Sequence, residues 1–396
     1  MDSQDLIPVL LHKEIKQRVE NLQARMRREG MDAVLATSNV NIFYVTGRFF
    51  RGYVYIPATG EPIYFVVRPQ IYAGGDNIIN VRKPEQIPEK LAEAGWALPG
   101  RIGMEDDTLT LSEYRRLEKL FPDSEKANAS PLFRESRMVK TPYEISLMRE
   151  DGEHQVRVYA KISDLYKPGM TDVELQIAIE GELRKEGCLG FARVAGNLMD
   201  INLGSLLVGE NADNPSPYEF SMGGEGVDTS LPGGANGTII KKGETVMVDM
   251  NGAFNAYQTD MTRVWSLGDL PEKALKAHKC SIEILRSLEE LGRPGIPVSD
   301  LYKKAEEIAH QWDLGEYFMG HRQKAGFIGH GVGIELNEQP AITARNKTLL
   351  KENMTLALEP KFVLPGVGAT GVENTYVVTN EGLVNITVFK EQIIEL

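Results

Sequence analysis

Asp249, Asp260, His330, Glu359 and Glu373 are the residues of this sequence whose types could do chemistry together. They lie in the segments MVDMNGAFNAYQTDMTRVW, FIGHGVG, LALEPKFV and GVENTYVV, each reading as a strand or a glycine-rich turn. Every acid has apolar neighbours, where an unpaired charge is costly. Four carboxylates brought together repel one another unless a positive charge sits between them. Oxygen ligands plus one imidazole suit a pair of divalent cations, and a water between two such ions becomes a ready nucleophile. The expected class is a two-metal hydrolase.

The spacing fits that expectation. Asp249 and Asp260 are 11 positions apart. A hairpin turning at Phe254–Asn255 sets them directly opposite, both on one face. A rival turn at Asn251–Gly252 has the stronger type I′ signal and breaks that pairing. Glu359 and Glu373 are 14 apart and symmetric about Gly366 in LPGVGATG, so they too can face each other across a hairpin. His330 is flanked by Gly329, Gly331 and Gly333, which free the backbone to approach a ligand closely. Taken singly, an Asp near a turn is a turn residue, a strand Glu is a solvated face, and a His is a packed or surface histidine. Five of them in paired registers make those separate explanations a poor joint account.

The elements that must hold these residues are legible in outline. A chain of 396 residues is too long for one small core, so two domains are expected, 1–135 and 136–396. Residues 13–29 read as an amphipathic helix, 32–37 as a buried strand, and GYVYIPATGEPIYFVV as a hairpin turning at Thr59–Gly60. With the strand IGMEDD and the helix LSEYRRLEKLF this makes an α/β domain. Thr141, Pro142 and Glu144 then start a helix expected to run to about Tyr166. A repeat follows. Lys167-Pro168-Gly169 precedes a helix capped by Thr171 and Glu174, and Arg293-Pro294-Gly295 precedes one starting near Ser299 after a long helix over 272–291. Two such halves facing each other would bury a site between them.

Composition narrows the partners. Lys and Arg number 44 against 56 Asp and Glu, a formal charge of −12, which argues against nucleic acid or an anionic membrane as the partner. Two cysteines in metal-unlike spacing, Cys188 and Cys280, fit a reducing compartment. The start MDSQDLIPVLL lacks the basic region of a secretory signal, and no run approaches the ~20 apolar residues of a membrane helix. The expectation is a cytoplasmic protein; the net charge says little about a small substrate, because a local site can carry any sign.

On these residues the chain resembles the pita-bread metallopeptidases: methionine aminopeptidase, prolidase, aminopeptidase P and the non-peptidase creatinase. GMDAVLATSNVNIFYVTG resembles the creatinase-type N-terminal domain and RMVKTPYEI the linker helix, and all five metal-ligand positions are filled. The resemblance implies an α+β chain: a creatinase-type α/β domain, then a pita-bread domain with pseudo-two-fold duplication. It implies two divalent ions (manganese, cobalt, zinc or iron), with Asp260 and Glu373 bridging both. Asp249 would bind one ion, and His330 and Glu359 the other. Glu359 would handle the proton of the attacking water. A homodimer is expected from the resemblance alone.

Three positions depart from the family pattern. A second histidine seven residues after His330 is Asn337, the histidine of a Leu-Pro-His segment is Gly233, and the arginine of prolidase-like members two residues before the last Glu is Gly371. Asn337, His321 and Arg322 are candidate replacements for substrate binding. Tyr257, opposite Asp260 in parity, is read as packing, and the segment 208–226 as part of the pocket. The reading is an Xaa-Pro dipeptidase or aminopeptidase. The alternatives are hydrolysis of a non-peptide C–N bond on the same metals, or a metal-binding homologue without catalysis.

Overall fold

A computed structural model of the chain describes residues 3–69, 77–196 and 200–396. The chain divides into two compact units, Met1–Arg137 and Met138–Leu396. The first carries a six-stranded mixed sheet. Its two central strands, Ala33–Ala36 and Arg51–Pro57, pair antiparallel, and Arg51–Pro57 continues into Ile63–Arg68 as the expected hairpin. Strand Arg101–Met104 joins Ala33–Ala36 in parallel. Leu35, Phe65, Ile102 and Phe121 fill the core on one side. The opening helix is longer than expected, Ser3–Arg28.

The second unit holds all five chemistry-bearing residues. It begins with helix α1 (Pro142–Tyr159), whose start is a complete capping box between Thr141 and Glu144 with Pro142 in the first turn. The helix stops at Tyr159 rather than near Tyr166, and a separate short turn, Ile162–Leu165, follows. The break lets both residues serve one core: Tyr159 bonds through its hydroxyl to the Met261 carbonyl, and Ile162 is buried in the same cluster. Helix α2 (Asp172–Glu186) has its own capping box, Thr171 with Glu174. Strands β1 (Gly204–Val208), β2 (Thr245–Gly252) and β3 (Thr259–Ser266) follow.

The order then repeats. Helices α3 (Glu272–Leu291) and α4 (Val298–Gln311) precede β4 (Gly329–Gly331), β5 (Thr355–Leu358), β6 (Lys361–Leu364), β7 (Gly368–Gly371), β8 (Asn374–Thr379) and β9 (Gly382–Asn385). Gly169 and Gly295, the glycines of the two Pro-Gly turns, share a left-handed φ of 90°, a conformation that costs glycine little. Each half owns a four-stranded sheet: β1, β2, β3 and Ile394–Glu395 in one, β4, β5, β8 and β9 in the other. Each also owns a core. Leu175, Ile179, Val246 and Trp265 pack in the first half, and Ile284, Leu301, Leu356 and Tyr376 in the second. The sequence repeat is therefore a structural duplication, and the fold is mixed helix and sheet with an α/β N-terminal domain, as expected.

Candidate metal centre

Asp249 and Asp260 lie on the β2–β3 hairpin, but not directly opposite each other. The register pairs Asp249 with Thr262 and Asn251 with Asp260, so the expected pairing is off by two residues. The connection is a six-residue loop, 253–258, and helix α1 fixes its shape. Asp151 accepts from the Phe254 amide at 2.5 Å, Asn255 donates to the Leu147 carbonyl, and Tyr257 donates to Glu144 at 2.6 Å. These tertiary bonds outweigh the local turn signal. A shift of two preserves side-chain parity, so both aspartates still share one face as diagonal neighbours. Tyr257 is buried packing, as expected.

Glu359 directly follows β5 and Glu373 directly precedes β8. The expected symmetry about Gly366 holds: it relates Leu358 to Asn374 and Lys361 to Gly371. His330 sits in β4, paired with Ala357. Its flanking glycines serve close packing rather than unusual dihedrals. A Cβ on Gly329 would lie 2.2 Å from the Ala357 oxygen, and one on Gly331 would lie 2.1 Å from the Gln339 oxygen.

The five side chains converge. His330 Nε2 is 3.8 Å from Asp260 Oδ2 and 3.7 Å from Glu359 Oε1. His330 Nδ1 donates to the Gly331 carbonyl at 3.1 Å, which turns the Nε2 lone pair toward the acids. Two overlapping groups could each hold an ion: Asp260, His330 and Glu373, and Asp249, Glu359 and Glu373. The buried Glu373 Oε1 has no hydrogen-bond partner among the described residues, which an ion beside it would supply. The Asp260, His330 and Glu373 set therefore fits a divalent cation.

Lys361 is the residue that the sequence reading missed. Its Nζ lies 2.8 Å from Asp249 Oδ2, 2.8 Å from Glu359 Oε2, 2.9 Å from Glu373 Oε2 and 3.1 Å from Ser221 Oγ. Its side chain is completely buried. A signal was present: a charged residue inside the apolar run LALEPKFVL, two positions from Glu359. Burial pushes the Asp260 and Glu373 carboxyls well above the ordinary range, and neighbouring acids push them further, against the charge of Lys361. Burial opposes the Lys361 ammonium, but Asp249, Glu359 and Glu373 outweigh it and hold its pKa well above the usual value.

Behind the cage, Arg263 was also missed. Its buried guanidinium donates to the Glu373 carbonyl at 2.7 Å, to Asn374 Oδ1 at 2.7 Å and to the Lys390 carbonyl at 2.8 Å. It pins the backbone that presents Glu373. Thr262 Oγ1 donates to Glu373 Oε2 at 2.7 Å.

In front of the cage is a cavity of about 270 Å³, into which Asp249, Asp260, His330 and Glu359 open. Phe220, Met222 and Phe327 form apolar wall, so the segment 208–226 contributes to it as expected. Asn337 lines the cavity, yet its amide is engaged with Ala195, accepting from the backbone nitrogen at 2.6 Å and donating to the oxygen at 3.1 Å. His321 and Arg322 do not line it. Buried Asp213 holds both, His321 Nδ1 at 2.9 Å and the Arg322 amide at 3.0 Å, and His321 lines the adjoining cavity, which shares Phe220, Met222 and Phe327 with this one.

Residues 146–380 match the model of metallopeptidase family M24, more than half of the chain. The chain belongs to family M24. Residues 18–139 match the creatinase/prolidase N-terminal domain. Among relatives, the Xaa-Pro dipeptidase of Pyrococcus horikoshii is 24% identical over 383 residues, covering 96% of this chain and 99% of that protein. The Xaa-Pro dipeptidase of Lactobacillus delbrueckii is 24% identical over 92% of this chain and 95% of its own length. Among solved structures, the X-Pro aminopeptidase of Thermotoga maritima superposes with a TM-score of 0.79 at 22% identity, covering 96% of this chain and 99% of that one. M24 enzymes are metallopeptidases that use divalent metals. Among the described residues no helix is long and apolar enough to cross a membrane.

Proposed function

We propose that this M24 chain hydrolyses the Xaa-Pro bond of a dipeptide or short peptide, with a divalent ion held by the acids and His330. The observation that carries the reading is the cage itself: four carboxylates and one imidazole converge at the floor of a cavity, with one buried carboxylate oxygen lacking a hydrogen-bond partner among the described residues. A divalent ion bound there supplies Lewis-acid activation of water and of a carbonyl. The chain's own groups do the rest. Glu359 has one oxygen tied to Lys361 and leaves the other, Oε1, 3.7 Å from His330 Nε2, where it would both ligate the ion and take the proton of the water beside it. His330 and Asp260 hold the ion, and Phe220, Met222 and Phe327 exclude bulk water from the reacting bond. The cavity of about 270 Å³ has room for a small substrate, in keeping with the dipeptidase names of the relatives.

In this reading residues 136–396 form the catalytic domain and residues 1–135 an accessory one. Manganese, cobalt, zinc and iron all accept this donor set. The protein acts as a cytoplasmic homodimer, which size-exclusion chromatography checks for the assembly. The deciding assay is hydrolysis of a panel of Xaa-Pro dipeptides by chelated protein reloaded with each metal. No turnover with any metal, on protein that retains the metal, sinks the peptidase reading.

A second reading has one observation in its favour. The candidate amide donor for a peptide carbonyl, Asn337, is engaged with Ala195, and His321 and Arg322 are held on Asp213. A non-peptide substrate with a hydrolysable C–N bond needs none of these groups. A broad amide and amidine panel that yields turnover only outside the proline peptides selects this reading.

A further inference from the structure

We infer that the ammonium of Lys361 takes the place of one of two metal ions, so that this chain holds a single divalent ion on Asp260, His330 and the free oxygens of Glu359 and Glu373. The inference rests on the metal-dependent reading above and deepens it.

The division is visible oxygen by oxygen. Asp249 Oδ2, Glu359 Oε2 and Glu373 Oε2 all receive Lys361 Nζ at 2.8–2.9 Å. An ammonium has three N–H donors, and three carboxylates, with Ser221 Oγ at 3.1 Å as a further acceptor, leave none of them free. A metal ion bound by the same three oxygens would sit about 2.0–2.2 Å from each, where Nζ now lies. Two cations cannot share that centre. The opposite oxygens are arranged differently. Glu359 Oε1 faces His330 Nε2 at 3.7 Å, Asp260 Oδ2 faces it at 3.8 Å, and Glu373 Oε1 is buried without a hydrogen-bond partner among the described residues. Three carboxylate oxygens and one imidazole nitrogen make a complete set for one ion.

The lysine is built in rather than folded back from solvent. It belongs to β6, is fully buried, and lies beneath the cavity floor rather than on its lining. Its cross-strand partner is Gly371. A Cβ on Gly371 would lie 2.9 Å from Lys361 Cα, 3.2 Å from its Cγ and 2.7 Å from the Pro360 oxygen. The absence of a side chain at 371 leaves room for the lysine. Among the described residues no Lys or Arg side chain pairs with Asp260, whose ion-pair neighbour is His330.

The test is metal stoichiometry. Purified full-length protein is stripped with chelator, reloaded with Mn²⁺, freed of excess by gel filtration and measured by elemental analysis, with electron paramagnetic resonance to distinguish isolated from coupled Mn²⁺. We expect one ion per chain with the signal of isolated Mn²⁺, loss of tight binding in H330A, and two ions in K361G. Two ions in the wild-type chain overturn the inference and leave the hydrolase reading standing. No ion in the wild type overturns both. Folded K361G that still holds one ion overturns the role given to Lys361. Should K361G not fold, the wild-type count and H330A decide, because a two-ion centre loses only part of its metal when His330 is removed.

Discussion

Lys361 and Gly371 face each other across the β6–β7 pair, and the glycine is what lets the lysine sit there. Gly371 has φ of +151°, a region that L side chains rarely adopt, and its Cβ would press on the backbone of Lys361. G371A is expected to cost about 1–3 kcal/mol, and G371R more. In a K361G background the penalty at 371 falls, because its closest side-chain neighbour is gone. A double-mutant cycle by urea unfolding measures this coupling. Additive effects at the two positions would mean that they do not share the space.

A second expectation concerns metal and stability. Burial of like charges destabilises the empty cage, and an ion that binds only the folded state stabilises it. At a hundredfold excess over Kd the gain is about 2.7 kcal/mol, or roughly 5 °C or more in Tm for a unit of this size. Thermal scans of chelated and Mn²⁺-loaded protein check it. H330A should lose most of the gain, while N337A, whose amide engages Ala195 rather than the cage, should keep it.

Asp151 predicts a pH dependence. Burial raises its carboxyl from 3.8 to about 7, partly offset by the hydrogen bonds from Phe254 and Thr259. The folded state then binds the proton more tightly than the unfolded chain does. This contribution to stability is full below pH 4 and is lost as pH rises through about 7, up to about 4 kcal/mol in all. Between pH 5 and 8 the wild type should therefore lose stability more steeply than D151N. Urea titrations of both chelated proteins across that range decide it. Parallel curves would show that Asp151 is charged throughout.

Arg263 predicts a stability effect that reaches the cage. Burial lowers its pKa to about 10, so it remains a cation at neutral pH. R263M orphans several buried carbonyls and should cost about 3 kcal/mol. It should also weaken Mn²⁺ binding, because Glu373 loses the group that fixes its backbone. Calorimetric titration of the folded variant gives the affinity. Unchanged affinity would restrict Arg263 to a structural role.

The sequence showed the acids, the histidine, the duplicated halves and the symmetric β6–β7 turn, because period-two alternation and glycine placement leave local marks. It misjudged the β2–β3 register, since Asp151, Leu147 and Glu144 shape that loop from a helix about 100 residues upstream. His321 and Arg322 read as pocket residues, and the sequence gives no sign that Asp213, also distant in sequence, holds both. Lys361 was hidden for a different reason. A lysine beside a proline reads as a surface turn, and only the converging carboxylates reveal a buried cation.

The two halves of the second unit each keep a separate core, yet the cage draws two acids from one and three residues from the other. Asp249 and Glu373 stand 124 positions apart, so no local fragment can assemble the centre. Loop closure over that distance comes late in folding. Metal capture is therefore a reporter of completed docking between the halves. A half-folded chain, with its acids still in water, is hydrolytically silent toward the peptides around it.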